Sequence, residues 1–219
     1  FLFTNLFWDI GISDQSGTFK DNTDWCIHTI KLLADNPEID LYIKTHPAES
    51  FDKSSKSNKG ISDIIKQNFP ELPSNVFIID QKYKVNSYDL FPYIDLGVVF
   101  SGTLGLEMLL SEIKVINIGK ASYNSIPGFV NPESKEIYDQ ILLGKKPVNS
   151  IEYEQIRLFA YFFFLKSLID FKPTDSVYGL NLRNFRFSKI EELMPGRDKH
   201  LDHIINCIIA PDSNSPECH

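Results

Sequence analysis

A cation and an imidazole stand where an apolar run ends. Residues 41–43 are apolar, Lys44 follows them directly, and His46-Pro47 comes next. Proline has no N–H to continue a strand ladder, so Pro47 would end the strand and fix the path of the chain out of it. An ammonium group and an imidazole N–H are both donors suited to a phosphate. The alternative is that His46 only caps the strand end by bonding to a backbone carbonyl.

A second polar turn follows another apolar run. Residues 98–107 read VVFSGTLGLE, so Ser101, Gly102 and Thr103 would open a helix directly after a strand. Ser101 or Thr103 can cap that helix, and the N–H groups of its first turn attract an anion. Gly102 lets a ligand approach the backbone, and Gly105 lets the helix pack close to the sheet. The spacing is neither that of a P-loop nor GxGxxG, and an ordinary capped strand–helix turn is the alternative.

Other polar residues follow predicted strands or lie near the two turns. Glu107, one turn into the helix, could accept hydrogen bonds from ribose hydroxyls, or it could only complement the helix dipole. The remaining candidates could hold a sugar or could serve only as caps, turn residues or solvated side chains: Asn5, Asp9, Glu49, Lys120 and Tyr123.

These residues depend on elements that the apolar pattern predicts. Predicted strands cover residues 1–7, 39–45, 76–79, 96–100 and 115–118, and predicted helices cover residues 21–36, 61–69, 103–110 and 133–143. Strands rich in β-branched residues that alternate with helices are typical of a parallel sheet covered on both faces. We therefore predict an α/β fold with a Rossmann-like doubly wound sheet over residues 1–150. Ligands of such sheets bind beyond the carboxyl ends of the strands, where both polar turns lie.

Composition excludes several classes of protein. The net charge of -7 argues against nucleic-acid binding, which needs clustered Lys and Arg. No stretch approaches the roughly 20 apolar residues of a membrane span. The three cysteines form no CxxC pair, and His200 and His203 lack a third ligand cluster, so we expect no metal. A cytoplasmic location fits this composition.

Several motifs in a fixed order resemble those of bacterial capsule polysaccharide biosynthesis proteins. They are FTNLFWD, IKTHPAE, LPSNVFII, DLGVVFSGTLGLEML and KVINIGKASY, within residues 1–170. The HP and SGTxGLE motifs, taken as an ordered pair, are the most specific. This family is similar to the Kdo and sialic acid type of transferases, which use CMP-activated sugars.

The resemblance implies the C-terminal, donor-binding half of a GT-B glycosyltransferase, which transfers a sugar from a CMP-linked donor to a glycan or lipid-linked glycan acceptor without a metal or other cofactor. Lys44, His46 and the Ser101–Thr103 turn would hold the donor phosphate, and Glu107 would face the ribose or base. The general base is expected in an N-terminal domain that is absent from this sequence, with Asp9 as the weak candidate here. The full-length protein could associate peripherally with the inner face of the inner membrane.

The C-terminal third is predicted to be a helical extension. Residues 151–170 read as a long aromatic helix, residues 188–209 contain another helix, and residues 210–219 read as a disordered tail. Residues 151–209 would pack on the first domain or on the missing one.

Two other functions stay open from the sequence. One is a non-catalytic interaction module of the polysaccharide assembly and export machinery, with the aromatic helix as its contact surface. The other is a nucleotide-sugar epimerase of similar fold, which would need acid and base groups such as Asp9 and Glu49 near the sugar.

Overall fold

The computed structural model describes residues 1–6, 18–50, 60–121, 123–124, 126, 128–148, 152–168, 174–176, 182–185 and 187–209. Asp9 and the predicted tail at residues 210–219 lie outside these residues. The chain divides into two units, Phe1–Arg157 and Leu158–His219.

A parallel six-stranded sheet forms the centre of the first unit. Its spatial order is β3-β2-β1-β4-β5-β6, with every neighbouring pair parallel. The strands are β1 (Leu2–Phe3), β2 (Leu41–Lys44), β3 (Val76–Ile79), β4 (Leu96–Val99), β5 (Lys114–Asn117) and β6 (Phe129–Val130). This is the doubly wound order in which the chain reverses direction across the sheet between β1 and β4. The fold class predicted from the sequence is thereby confirmed.

Helices cover both faces of this sheet. On one face, α1 (Asn22–Ala34), α2 (Ile61–Asn68) and α4 (Lys135–Leu142) pack on alternate strand residues to form the main core. On the other face, α3 (Leu104–Leu110) lies close to β4, because Gly105 leaves its backbone next to Val99 and Phe129. The alternation of side chains along each strand explains why Val98 joins the first core and Val99 faces α3.

Buried polar groups fix the connections between these layers. The side-chain amide of Asn75 donates to the carbonyl oxygens of Leu33 at 2.9 Å, Ile39 at 2.8 Å and Asn36 at 3.3 Å. One buried side chain thus binds three carbonyls at the end of α1 and in the turn that follows it. In the core, the hydroxyl of Tyr138 accepts from Trp25 Nε1 at 3.1 Å, which joins α4 to α1.

Several element boundaries differ from the predictions. β1 covers only Leu2–Phe3, and β6 was not predicted because a two-residue strand leaves no periodic signal in the sequence. The predicted helix over residues 151–170 is α5 (Tyr153–Tyr161) followed by a π-helix at Phe162–Lys166, where consecutive aromatic rings crowd one another.

The second unit also contains strands that the sequence pattern did not indicate. β7 (Thr174–Ser176) and β8 (Leu182–Phe185) pair in an antiparallel ladder. A 3-10 helix at Ile190–Leu193 precedes α6 (Lys199–Ile209). Across the described part of the chain, no helix has both the length and the apolar character to cross a membrane.

Candidate functional site

The carboxyl ends of β1 and β4 meet at the point where the strand order reverses. Asn5, two residues beyond β1, donates through Nδ2 to Ser101 Oγ at 3.2 Å, and so joins the two strand ends. The carbonyl of Asn5 accepts from the side chain of Asn22 at 2.8 Å, which ties it to the first residue of α1. Ligands of doubly wound sheets bind in the crevice at this reversal.

A cavity of about 510 Å³ opens at this point. The residues that line it come from the ends of β1 and β4, the connections after β1, β2, β3 and β4, and the start of α3: Phe3, Thr4, Asn5, Leu6, His46, Pro47, Asn86, Ser87, Tyr88, Val99, Ser101, Gly102, Thr103 and Leu104. The structure therefore brings His46 and the Ser101–Thr103 turn to one cavity, together with Asn5. Whether they bind a ligand there stays a prediction.

The loop that carries His46 is held by its own backbone. The amide of Ala48 donates to His46 Nδ1 at 3.1 Å, and the 3-10 helix Pro47–Ser50 follows directly. A ring nitrogen that accepts a hydrogen bond carries no proton, so the neutral imidazole of His46 is protonated at Nε2. That nitrogen is a donor, as a phosphate site requires.

The Ser101–Thr103 turn is positioned from behind by a buried tyrosine. The hydroxyl of Tyr123 donates to the carbonyl oxygen of Gly102, and its ring stacks on Phe129 with centroids 4.7 Å apart. Tyr123 is only 2% exposed, so it does not line the cavity itself and affects it only by holding this turn in place. Burial also raises the pKa of Tyr123, which keeps its hydroxyl protonated as a donor.

Gly102 presents open space on the cavity side. A Cβ built on Gly102 would meet only Asn5 Oδ1, at 3.5 Å, an ordinary contact distance. Gly105 has the opposite surroundings, since its Cβ would lie 2.9 Å from Val99 Cγ2. Gly105 is therefore needed for packing of α3 on the sheet, as the sequence predicts, whereas nothing in the described protein fills the space beside Gly102.

Glu107 does not line the cavity, but it is hydrogen-bonded to a residue that does. Glu107 and Thr103 are four residues apart, and so are on one side of the helix. The phenol of Tyr88, which lines the cavity, donates to Glu107 Oε2 at 2.7 Å.

Besides Gly105, Glu107 and Tyr123, three more of the predicted residues that the structure describes do not line this cavity. Lys44 is buried in the sheet and Lys120 is exposed beyond β5. Glu49 turns towards the start of α2, where its Oε2 accepts from the amide of Ile61 at 3.2 Å. Burial raises the pKa of Glu49 to about 7. Glu49 thus caps α2 and fixes the loop of His46 to it.

Sequence reasoning missed four polar residues of the cavity. Thr4 alternates with apolar neighbours and reads as part of a strand, yet it is 4% exposed and its Oγ1 has no hydrogen-bond partner within the described residues. Asn86, Ser87 and Tyr88 lie in the long connection between β3 and β4. Their only signal was a position after a strand's carboxyl end.

The polar groups of the cavity favour an anion. In the described ranges its lining offers one imidazole, two carboxamides and several hydroxyls, and it includes no carboxylate. A larger cavity of about 820 Å³ lies near the starts of β1, β2 and β4 and carries Glu38, Asp40 and Asp95. Those acids would repel a phosphate, so the smaller cavity is the better candidate.

Comparisons with known proteins identify a family and show similarity to a solved structure. The sequence model of the family described as capsule polysaccharide biosynthesis protein matches residues 6–141. Among solved structures, the chain is similar to KpsC of Thermosulfurimonas dismutans, a beta Kdo 2,4 transferase, with 19% identity and a TM-score of 0.44. The similarity covers 71% of this chain and 41% of that protein, so the chain spans less than half of that relative. No curated protein matches the chain.

Proposed function

Because the chain belongs to the capsule polysaccharide biosynthesis protein family, as its ordered motifs predicted, we propose that it is the donor-binding part of a glycosyltransferase. This enzyme would build a capsule or another surface polysaccharide. The donor would be a nucleotide-activated sugar, with CMP as the expected nucleotide.

One observation carries this proposal. In a protein of net charge -7, the loops at the reversal of the strand order form a cavity whose described lining includes no carboxylate. His46 approaches it from the loop after β2, and the Ser101–Thr103 turn approaches it from the loop after β4. Donors that converge from two strand ends suit a phosphate, which accepts several hydrogen bonds at once.

The proposed roles follow from hydrogen-bonding chemistry. His46 Nε2–H and the hydroxyls of Ser101 and Thr103 would donate to the donor phosphate, and Asn5 would keep Ser101 in place. Glu107 accepts but cannot donate when ionised, so it suits the ribose hydroxyls of the nucleotide. Lys44 and Lys120 would add positive charge near the site without direct contact.

The reaction would be a displacement at the anomeric carbon of the donor sugar. An acceptor hydroxyl oxygen forms the new bond, the bond from the anomeric carbon to the phosphate oxygen breaks, and the hydroxyl proton passes to a general base. We propose that the general base and the binding site for the glycan acceptor lie in another domain of the full-length protein. Any association with the inner membrane would also involve that domain. The groups on this chain would stabilise the negative charge of the leaving nucleotide. We propose that they do so without a metal, in the cytoplasm.

Isothermal calorimetry with CMP tests the phosphate site. Removing one charge-assisted contact should weaken binding by about 1.5–3 kcal/mol, or roughly 10- to 150-fold. We expect this loss for His46→Ala and for Ser101→Ala. Ser111→Ala is the matched control, because Ser111 caps the opposite end of α3 and is exposed.

The same titration with UDP and GDP identifies the nucleobase that the site prefers. If His46→Ala and Ser101→Ala both bind CMP as tightly as the parent chain and the control, the phosphate site is wrong.

One observation favours the non-catalytic module as a second candidate. Apolar side chains at the start of the second unit are exposed, among them Leu158, Leu165 and Leu168. A surface of this kind suits contact with another protein. If CMP, UDP and GDP produce no thermal shift in the parent chain, the module is favoured over the transferase. The epimerase gains no support, because Glu49 is engaged with α2 and Asp9 lies outside the described residues.

A further inference from the structure

The connection between β3 and β4 brings a tyrosine into the cavity in a fixed position. Asn86 Oδ1 accepts from the amide of Tyr88 at 3.1 Å and so caps the 3-10 helix Ser87–Tyr93. The ring of Phe91 packs edge-on against the ring of Tyr88, with centroids 5.3 Å apart. The backbone and the ring of Tyr88 are therefore both restrained, although the side chain is 55% exposed.

The phenol of Tyr88 donates a hydrogen bond to Glu107. Its O–H donates to Glu107 Oε2 at 2.7 Å, the usual distance of an O–H···O hydrogen bond. The bond with the carboxylate also raises the pKa of Tyr88, which keeps the phenol protonated at neutral pH. Within the described part of the chain, no residue donates to the other oxygen, Oε1.

Glu107 lies one turn of α3 beyond the Ser101–Thr103 turn. Thr103 and Glu107 are four residues apart, which corresponds to about 6 Å along the helix axis. The cavity thus offers donors at His46 and Thr103, and the carboxylate of Glu107 lies beside it, bonded to the lining residue Tyr88. A nucleotide has the complementary arrangement, since its phosphate accepts hydrogen bonds and its ribose hydroxyls donate them.

We propose that Tyr88 is a positioning residue, which holds Oε2 of Glu107 so that Oε1 accepts from the ribose hydroxyls of the bound nucleotide. This inference rests on the proposed function and gives the bound nucleotide a direction, with its phosphate at His46 and its ribose at Glu107. It also makes the site selective for ribonucleotides. A deoxyribonucleotide lacks one donor, so part of the acceptor capacity of Glu107 stays unused.

Calorimetry of the full 219-residue chain with CMP, 2′-deoxy-CMP and 3′-deoxy-CMP tests this inference. We expect the parent to bind CMP roughly tenfold more tightly than the weaker of the two deoxy forms, as one hydrogen bond to a charged group requires. Tyr88→Phe keeps the ring and removes only the donor. It should bring the two affinities to within about threefold, mainly by weakening the binding of CMP.

Two further variants make the result specific. Glu107→Gln should also remove the preference, because it removes the charge of the acceptor. Tyr93→Phe is the matched control, because Tyr93 ends the same 3-10 helix, is 73% exposed and does not line this cavity in the described structure. It should keep the preference of the parent.

If Tyr88→Phe affected folding in general, it would weaken the binding of all three ligands equally. The ratio of affinities therefore distinguishes a positioning role of Tyr88 from an effect on stability. Equal affinities for all three ligands in the parent, or an unchanged ratio in Tyr88→Phe, overturn the inference and leave nucleotide binding intact. If neither CMP nor UMP binds the parent at all, the proposed function fails, and this inference fails with it.

Discussion

Substitution by alanine should have opposite effects on stability and on CMP binding at two glycines, Gly102 and Gly105, which lie three residues apart. At Gly102, an added Cβ would meet only Asn5 Oδ1 at 3.5 Å, which is ordinary van der Waals contact. At Gly105, it would lie 2.9 Å from Val99 Cγ2 and 3.1 Å from Phe129 Cε1. The contact at Gly102 requires no movement of the protein, whereas the contacts at Gly105 require α3 or the sheet to shift.

The sizes of the two effects follow from these distances. Overpacking of a core costs about 1–3 kcal/mol. Alanine is favoured over glycine within a helix by about 0.5–1 kcal/mol, which offsets part of that cost at Gly105. The net destabilisation for Gly105→Ala is then about 1–2 kcal/mol. For a protein of this length it corresponds to a Tm lowered by about 2–8 °C. Gly102→Ala should change the free energy of unfolding by less than about 0.5 kcal/mol.

The binding of CMP should show the reverse pattern. The methyl group of Gly102→Ala would occupy the space through which a ligand approaches the backbone, so CMP should bind at least about tenfold more weakly, as one lost hydrogen bond would require. Gly105→Ala should keep the affinity of the parent at temperatures where it is folded. Differential scanning calorimetry and isothermal calorimetry on the same three samples measure both quantities.

Two results would refute this reasoning. If Gly102→Ala binds CMP like the parent, the ligand does not approach that turn. If Gly102→Ala lowers the Tm more than Gly105→Ala does, the packing of the two glycines has been assigned the wrong way round.

Three further predictions concern the supports of the site and of the fold. The raised pKa of Glu49, about 7 against 4.5 in the unfolded chain, means that its stabilising contribution is complete below pH 4.5 and is lost as the pH rises through 7. In urea unfolding at pH 5 and pH 8, Glu49→Gln should therefore lose less stability with rising pH than the parent, and an equal loss would contradict this account. Tyr123→Phe removes the side-chain donor to the Gly102 carbonyl and leaves it only the amide of Gly105, so CMP affinity measured by calorimetry should fall by roughly 3- to 10-fold; unchanged affinity would show that the turn does not need this bond. Asn75→Ala removes the side-chain donor to three carbonyls, of which only that of Ile39 has no backbone donor in the described structure, and should lower the free energy of unfolding by about 1–3 kcal/mol in urea. Asn68→Ala on the exposed side of α2 should change it by less than about 0.5 kcal/mol, and similar losses would refute the buried role.

The sequence by itself determined the class of fold and the places where chemistry could occur. Runs of β-branched residues that alternate with helical segments are compatible with few architectures other than a parallel sheet covered on both faces. Polar residues follow the apolar runs of β2 and β4, so the ends of these two strands were visible as changes of residue type. His46 and the Ser101–Thr103 turn could be selected for this reason before any coordinate was known.

Only the tertiary structure decided which of these ends are neighbours and which side chains reach the cavity. Strand order is set by pairing between distant segments, and no local pattern shows that β1 lies between β2 and β4 and brings Asn5 to Ser101. The direction of a side chain in a loop depends on the partners that the fold supplies. Glu49 turns to the amide of Ile61 and Tyr123 to the carbonyl of Gly102, because in each case a buried polar group needs a partner that is distant in sequence.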